Sequence, residues 1–427
     1  MVYKVVTIFT VLLAVLIYRS GRVLKHNVLS LPSLPEAYYI GGDYKERCTI
    51  VRDETANTIN YCEDITFWDH LDEQDRLARR FVLLGCDPNR KAWNTVMGPL
   101  RDPEPFAFLW LYSTESGSLH PVTLDNYPKG HDFHPLGMEV YPSKVGAPSN
   151  LFIVNHARAN TTIEQFVLDP TQPTRAVHVR TLTSPYFVSP NSVALTSPTS
   201  FYVSNDHLMT RRLPSPFGKT LPVIESLAAL PFSWLAHVTI SPDGALQHKI
   251  VAFGVPFANG VAVSHDGSQV ALSATTLGEV YFYDRNQSTD DLKFSHSVPV
   301  PFLPDNIMYA DDGALIVTGH PHFPSVAAVA ANKPGAKAAS WTVSIRPISD
   351  TTRAKSEKDF VKRAYDLRAP LSASAIAPAV LTHEVETLFQ SDGSVFGTSA
   401  TGLVDTRTGT LYVSGLYEEG MLVCGPK

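Results

Sequence analysis

Three asparagines stand where short apolar strands begin. Asn191 precedes Ser-Val-Ala-Leu, Asn259 precedes Gly-Val-Ala-Val, and Asn306 precedes Ile-Met-Tyr-Ala. Asp305 sits beside the third, and Glu63-Asp64 holds the equivalent place ahead of an earlier strand. A lone amide at the mouth of a strand is ordinarily a turn residue, because Asn and Gly tolerate positive φ. Its recurrence in successive parts of the chain points to another use. Converging side-chain oxygens, with no thiolate or imidazole among them, suit a hard cation, calcium above all. Two carboxylates and three amides would balance the charge of Ca²⁺ and leave it able to polarise a carbonyl.

Such convergence needs elements that carry distant residues to one axis. The chain repeats a unit of one alternating strand, a polar turn and a more apolar strand. Examples are 137–141 with 150–156, 191–195 with 200–206, 259–263 with 269–273, 306–310 with 314–318, and 402–405 with 410–414. Asp266-Gly267 and Asp312-Gly313 are strong hairpin signals. Units of roughly 45–70 residues that cannot bury their own faces predict an all-β fold, a β-propeller. Five copies are visible, and residues 60–85 supply a sixth, so six blades are expected. The span from Asn306 to Leu403 is too long for one step. It holds a further blade or an insertion; charged Lys355 to Arg368 reads as a surface excursion. In a propeller, the residue before each inner strand points into the central channel, which is where the asparagines fall.

Ring closure has a candidate clasp. Cys48 precedes the first blade and Cys424 ends the last strand. An open ring exposes two strand edges. A bond between these cysteines would lock the seam, worth about 5 kcal/mol in chain-entropy models. Cys62 and Cys86 either pair or stay as buried thiols.

The chain has 427 residues, 44% hydrophobic and 18% charged, with net charge −6. That is enough for a large core, and the lack of a basic stripe excludes nucleic acid as a partner. Val5 to Tyr18 is an apolar run of 14 residues with Lys4 before it and Arg19, Arg22 and Lys25 after it. The run has the length of a signal h-region, and no good cleavage site follows. Residues 1–45 therefore read as an uncleaved signal-anchor and linker, with a cleaved signal peptide as the alternative, and 46–427 as the propeller. The flanking charges favour a cytoplasmic body. The sequons at Asn160 and Asn286, and cysteines near the ends of the folded part, favour a lumenal or extracellular one reached by the secretory pathway. The second reading is adopted, with membrane contact through the N-terminal segment.

Several stretches together resemble the serum paraoxonase/arylesterase family. They are Cys-Glu-Asp at 62–64, Val-Asn-His at 154–156, Phe-Tyr-Val-Ser-Asn-Asp-His at 201–207, Phe-Ala-Asn-Gly at 257–260, Pro-Asp-Asn-Ile at 304–307 and Gly-His-Pro at 319–321. They run in order across most of the chain, and a retained N-terminal apolar segment matches too. The resemblance implies a six-bladed propeller with calcium in the channel that hydrolyses lactones and aryl esters. It implies that Glu63, Asn191, Asn259, Asp305 and Asn306 ligate the catalytic calcium, that Cys48 and Cys424 pair, and that Asn286 carries a glycan. It makes His156 a water-activating base and His320 a residue that orients a ligand. Phe257 and Tyr417 are expected to line an apolar pocket.

The sequence departs from the pattern in three places. The second catalytic histidine falls at Leu136, which cannot move a proton; His134, two residues earlier, faces the same side of an extended strand and is the substitute candidate. A second, structural calcium would use Asp64 and the main-chain carbonyl of Met138, but an expected aspartate is Ser192, a weak neutral ligand. A family cysteine is Gly319. A general base is worth roughly 10²–10⁴ in rate, so losing one weakens hydrolysis without removing the cation's contribution.

Other chemistries find no support. There is no Gly-x-Ser-x-Gly elbow and no phosphate-cradling loop; His383-Glu384 lacks the second histidine of a zinc helix, and Asp284 onward lacks the glycine and glutamate of an EF-hand. The two readings carried forward are a calcium-dependent hydrolase of small lactones and aryl esters, and a membrane-tethered calcium-binding propeller whose Leu136 records weakened catalysis.

Overall fold

The computed structural model describes residues 2–53, 58–102, 104–348 and 383–426. The charged stretch Lys355 to Arg368 lies outside the described residues. The chain is a succession of antiparallel β-sheets in a propeller-like arrangement. Pro190–Ser197, Ser200–Asn205, Ser233–Ile240 and Leu246–Val255 form one four-stranded sheet. Ala258–Val263, Gln269–Ala274, Glu279–Arg285 and Leu292–Pro299 form the next. Leu303–Tyr309, Leu315–His320, Ser340–Pro347 and His383–Ser391 follow, with Tyr38–Tyr39 on the edge.

Among the described residues the sheets number five, not six. The first is nine-stranded because Arg175–Leu182 pairs in parallel with Leu119–Asp125 and fuses two antiparallel sets, 62–125 and 135–182. The long span after Asn306 contains no additional sheet among the described residues. It is a single set of strands interrupted by the helix Phe323–Ala330 and by the stretch before His383.

The seam closes as expected. Cys48–Val51 pairs antiparallel with Met421–Cys424, so the N-terminal strand completes the last sheet, and Cys48 is disulfide-bonded to Cys424. The open question about the other two cysteines is answered by a bond between Cys62 and Cys86. Both turn signals are turns, with Gly267 and Gly313 at φ 70° and 82°.

The first strands of successive sets neighbour one another in cyclic order, from Cys62–Leu71 through Pro135–Val140, Pro190–Ser197, Ala258–Val263 and Leu303–Tyr309 to Ser399–Asp405 and back. Apolar layers such as Trp68, Phe133, Ile153 and Phe166, or Phe282, Trp341, Val343 and Val385, fill the space between sheets. Arg80 clasps one end of the ring. Its buried guanidinium bonds Asp69 at 2.6 Å and Asp311 at 2.8 Å, and lies 3.6 Å from Asp405.

The N-terminal helix Val2–Val23 exists, and its end docks through Asn27, which donates to the Thr276 carbonyl at 2.8 Å. Among the described residues, however, no helix is long and apolar enough to cross a membrane. The expected signal-anchor is therefore not shown by this helix, whose apolar run of 14 residues is bracketed by Lys4 and Arg19.

Candidate active site

Each of the six first strands carries the same irregularity near its start. The pairing register slips between Cys62 and Asp64, Pro135 and Met138, Pro190 and Val193, Ala258 and Val261, Pro304 and Ile307, and Ser399 and Gly402. A bulge of this kind inserts one extra residue and re-aims side chains. The skipped residues are Glu63, Leu136-Gly137, Asn191-Ser192, Asn259-Gly260, Asp305-Asn306 and Ala400-Thr401. Asn259-Gly260 is thus no hairpin turn. Its glycine is required by close packing, since a Cβ there would lie 2.6 Å from the Asp305 carbonyl oxygen of the next bulge.

These bulges bring Glu63, Asn191, Asn259 and Asp305 to one cavity of about 480 Å³, with His134, His156 and His320. Leu136, Phe257 and Tyr417 line it, and Val326, Ala327 and Ala330 of the Phe323–Ala330 helix add an apolar wall. The size is typical of a small-molecule site. Phe257 holds φ at 57°, a strained value for a bulky residue, and packs edge-on against His207 with ring centres 4.5 Å apart.

The polar groups of the cluster pair in a consistent way. Asn306 donates its amide to Glu63 Oε1 at 3.0 Å and to Thr401 Oγ1 at 2.9 Å. Asn259 donates to Asp305 Oδ1 at 2.7 Å, and Asn191 to Asp206 Oδ2 at 3.2 Å. Every NH₂ group is used, whereas Oδ1 of Asn191, Asn259 and Asn306 and Oε2 of Glu63 are buried with no hydrogen-bond partner. A buried unpaired oxygen costs about 1–3 kcal/mol, so four at one place need an explanation. A cation held among them would satisfy all four. Burial drives the Glu63 carboxyl well above its ordinary range, with Asp305 and Asp64 adding repulsion. No group of three His, Cys, Asp or Glu residues among the described residues is arranged for a metal; the unpaired oxygens gathered here belong to three amides and one carboxylate. That set fits a hard cation such as calcium and does not fit zinc.

Asp64 stands apart from this group. Its oxygens already accept from the Met138 amide at 2.7 Å, the Ile65 amide at 2.9 Å and Thr401 at 2.8 Å. Toward Asp64, Met138 presents its N–H. Burial nevertheless lifts the Asp64 carboxyl to about 7. Asp64, Ser192 and Asn306 line a smaller cavity of about 160 Å³ together with Glu139, which the sequence had not singled out.

His320 bonds Asp305 Oδ2 through Nε2 at 3.0 Å. His156 is tightly held: Nε2 donates to the Pro190 carbonyl at 2.8 Å and Nδ1 accepts from Thr95 Oγ1 at 2.6 Å. Burial lowers its pKa to about 4, so the ring is neutral. His134 differs: Nδ1 bonds Asp87 Oδ2 at 2.9 Å, and Nε2 is buried without a partner. Asp87 was not visible in the repeats because it lies in the loop after Cys86; the parallel pairs Cys62-Glu63 and Cys86-Asp87 are its only sequence signal. Asn160 and Asn286 are both exposed, at a loop and a turn.

The fold and site are those of a β-propeller-like protein with an oxygen-lined axial cavity. A family model, Arylesterase, matches residues 114–357, and the chain belongs to that family. Serum paraoxonase/arylesterase 1 of Mus musculus is 28% identical over 154 residues, covering 36% of this chain and 39% of the relative. Serum paraoxonase/arylesterase 2 of Canis lupus familiaris is 25% identical over 278 residues, covering 63% of this chain and 64% of the relative. The chain thus spans less than two thirds of either relative's length. A luciferin-regenerating enzyme of known structure superposes with a TM-score of 0.43 at 12% identity, covering 88% of this chain and 96% of that one, a match too distant to bear on the fold.

Proposed function

We propose that this chain is a calcium-dependent hydrolase of lactones and aryl esters. The observation that carries the reading is the set of unpaired buried oxygens on Glu63, Asn191 and Asn259, which line one apolar-walled cavity, with a fourth on Asn306, whose amide bonds Glu63. Family membership and the names of the paraoxonase/arylesterase relatives support the substrate class. Residues 46–427 then form six blades, the nine-stranded sheet counting as two, and residues 1–45 form an N-terminal helix and linker that dock on the ring and contact a membrane. Passage through the secretory pathway fits the two disulfides and the exposed sequons at Asn160 and Asn286.

Calcium bound by Glu63, Asn191, Asn259, Asp305 and Asn306 would supply positive charge to a substrate carbonyl oxygen. The chain's own residues do the rest. Leu136, Phe257, Tyr417 and the helix Phe323–Ala330 hold the apolar part of the ester and exclude water from it. His320 fixes the Asp305 carboxylate, and Asn259 fixes its other oxygen. His156, held at both nitrogens, braces the Thr95 loop against the strand that carries Asn191. The binding-only reading is favoured by Leu136, where the family pattern has a histidine. Assaying purified protein on phenyl acetate and a δ-lactone separates the two. Turnover above that of an Asn259→Ala variant supports the enzyme; tight calcium binding without turnover on either ester leaves the binding protein.

A further inference from the structure

We propose that His134, held by Asp87, is the general base that activates water in this site, and that it takes the place left by Leu136. The inference rests on the hydrolase reading above and names the group that moves the proton.

The geometry is that of a base with its orienting acid. A carboxylate can only accept, so Nδ1 of His134 carries the proton it donates to Asp87 Oδ2 at 2.9 Å. Nε2 then holds a free lone pair. That nitrogen is buried, has no protein partner, and belongs to a residue lining the same cavity as Glu63, Asn259 and Asp305. His156 offers no such atom. Its Nε2–H faces a carbonyl and its Nδ1 lone pair is taken by Thr95. The ring planted where a family base is expected is therefore a brace, and the ring two residues before the missing histidine is the available one.

The support around His134 is rigid, as proton transfer requires. Its amide donates to Asn155 Oδ1 at 2.8 Å, and its carbonyl accepts from the His156 amide at 3.0 Å. Trp93 covers its ring at 6.1 Å between centres. Asp87 is buried, its Oδ1 accepts from the Asn89 amide at 2.9 Å, and Arg90 bonds the neighbouring Pro135 carbonyl at 2.7 Å. The Cys62–Cys86 disulfide precedes both Glu63 and Asp87 by one residue, so one covalent link sets the acid of the dyad and a cation ligand in register.

The step balances without any further reagent. Water oxygen bonds to the carbonyl carbon while Nε2 takes its proton. The tetrahedral species then breaks its bond to the leaving alkoxide, and the imidazolium returns the proton to that oxygen. Water and ester are consumed; acid and alcohol are formed.

The test uses the full chain and three readouts. His134→Ala is expected to lower kcat on phenyl acetate by about 10²-fold or more while calcium affinity, measured by titration calorimetry, stays within about threefold. Added imidazole should restore part of the lost kcat. Asp87→Asn, a positioning variant, should lower kcat, abolish the downfield Nδ1 proton resonance of His134, and add little to His134→Ala in the double variant. The dyad is overturned if His134→Ala keeps the wild-type kcat, or loses it together with calcium binding and without imidazole rescue. In either case an active, chelator-sensitive wild type leaves the hydrolase reading standing. A wild type inert on every ester removes both.

Discussion

Calcium should stabilise this fold by an amount the site itself sets, and Asn259→Ala should erase that gain without weakening the calcium-free protein. Without a cation, the four partnerless oxygens on Glu63, Asn191, Asn259 and Asn306 each carry a penalty of about 1–3 kcal/mol. Calcium present at a thousand times its dissociation constant adds about 4 kcal/mol. The folded sheets have an unfolding entropy near 0.8 kcal/mol/K, so the midpoint should rise by about 5 °C. Asn259→Ala removes one partnerless oxygen and one hydrogen bond, to Asp305 at 2.7 Å, and these effects roughly offset. The calcium-free variant should therefore unfold within about 2 °C of the calcium-free parent. Its calcium-induced shift should fall below about 2 °C. Scanning fluorimetry with chelator and with calcium reads all four midpoints. A variant that melts far lower without calcium, yet keeps the full calcium shift, would mean that Asn259 is a structural turn residue and that the cation reasoning is wrong.

Three further outcomes follow from other parts of the molecule. Arg80→Met strands Asp69, Asp311 and the fully buried Asp405, and should cost about 3–5 kcal/mol in denaturant unfolding; a loss below 1 kcal/mol would show the clasp to be idle. Replacing Cys62 and Cys86 with alanine should cost roughly 3–4 kcal/mol and reduce calcium affinity, because Glu63 adjoins the bond; unchanged affinity would separate the disulfide from the site. Burial first, then the neighbouring His296, lower the His383 pKa to about 4. The unfolded chain binds this proton first, so stability is full above about 6.5 and is lost as pH falls toward 4. His383→Phe, which keeps the stack on Phe282, should flatten that slope and leave stability at pH 8 unchanged; an unchanged slope would clear His383.

How much of this was legible in the sequence depends on period. Asn191, Asn259 and Asp305-Asn306 recur at the same point of successive units, so their shared axis was readable, and so was the Cys48–Cys424 seam. The reason they converge was not readable: the bulge is a backbone property, and Asn259-Gly260 looks like a hairpin turn until its register is known. Thr401, which bonds Asp64 and Asn306, occupies the sixth bulge but is neither amide nor acid, so it gave no signal. Asp87 and Thr95 lie in a loop with no repeat, and they decide which histidine has a free nitrogen. Composition could not show that a parallel strand pair fuses two sets into one sheet.

Hydrolysis of phenyl acetate by the purified chain, before chelation, after it and after calcium is returned, tests the central claim most directly. The account predicts activity that disappears with chelation and comes back with calcium but not with zinc. Activity that persists through complete removal of divalent ions would contradict it.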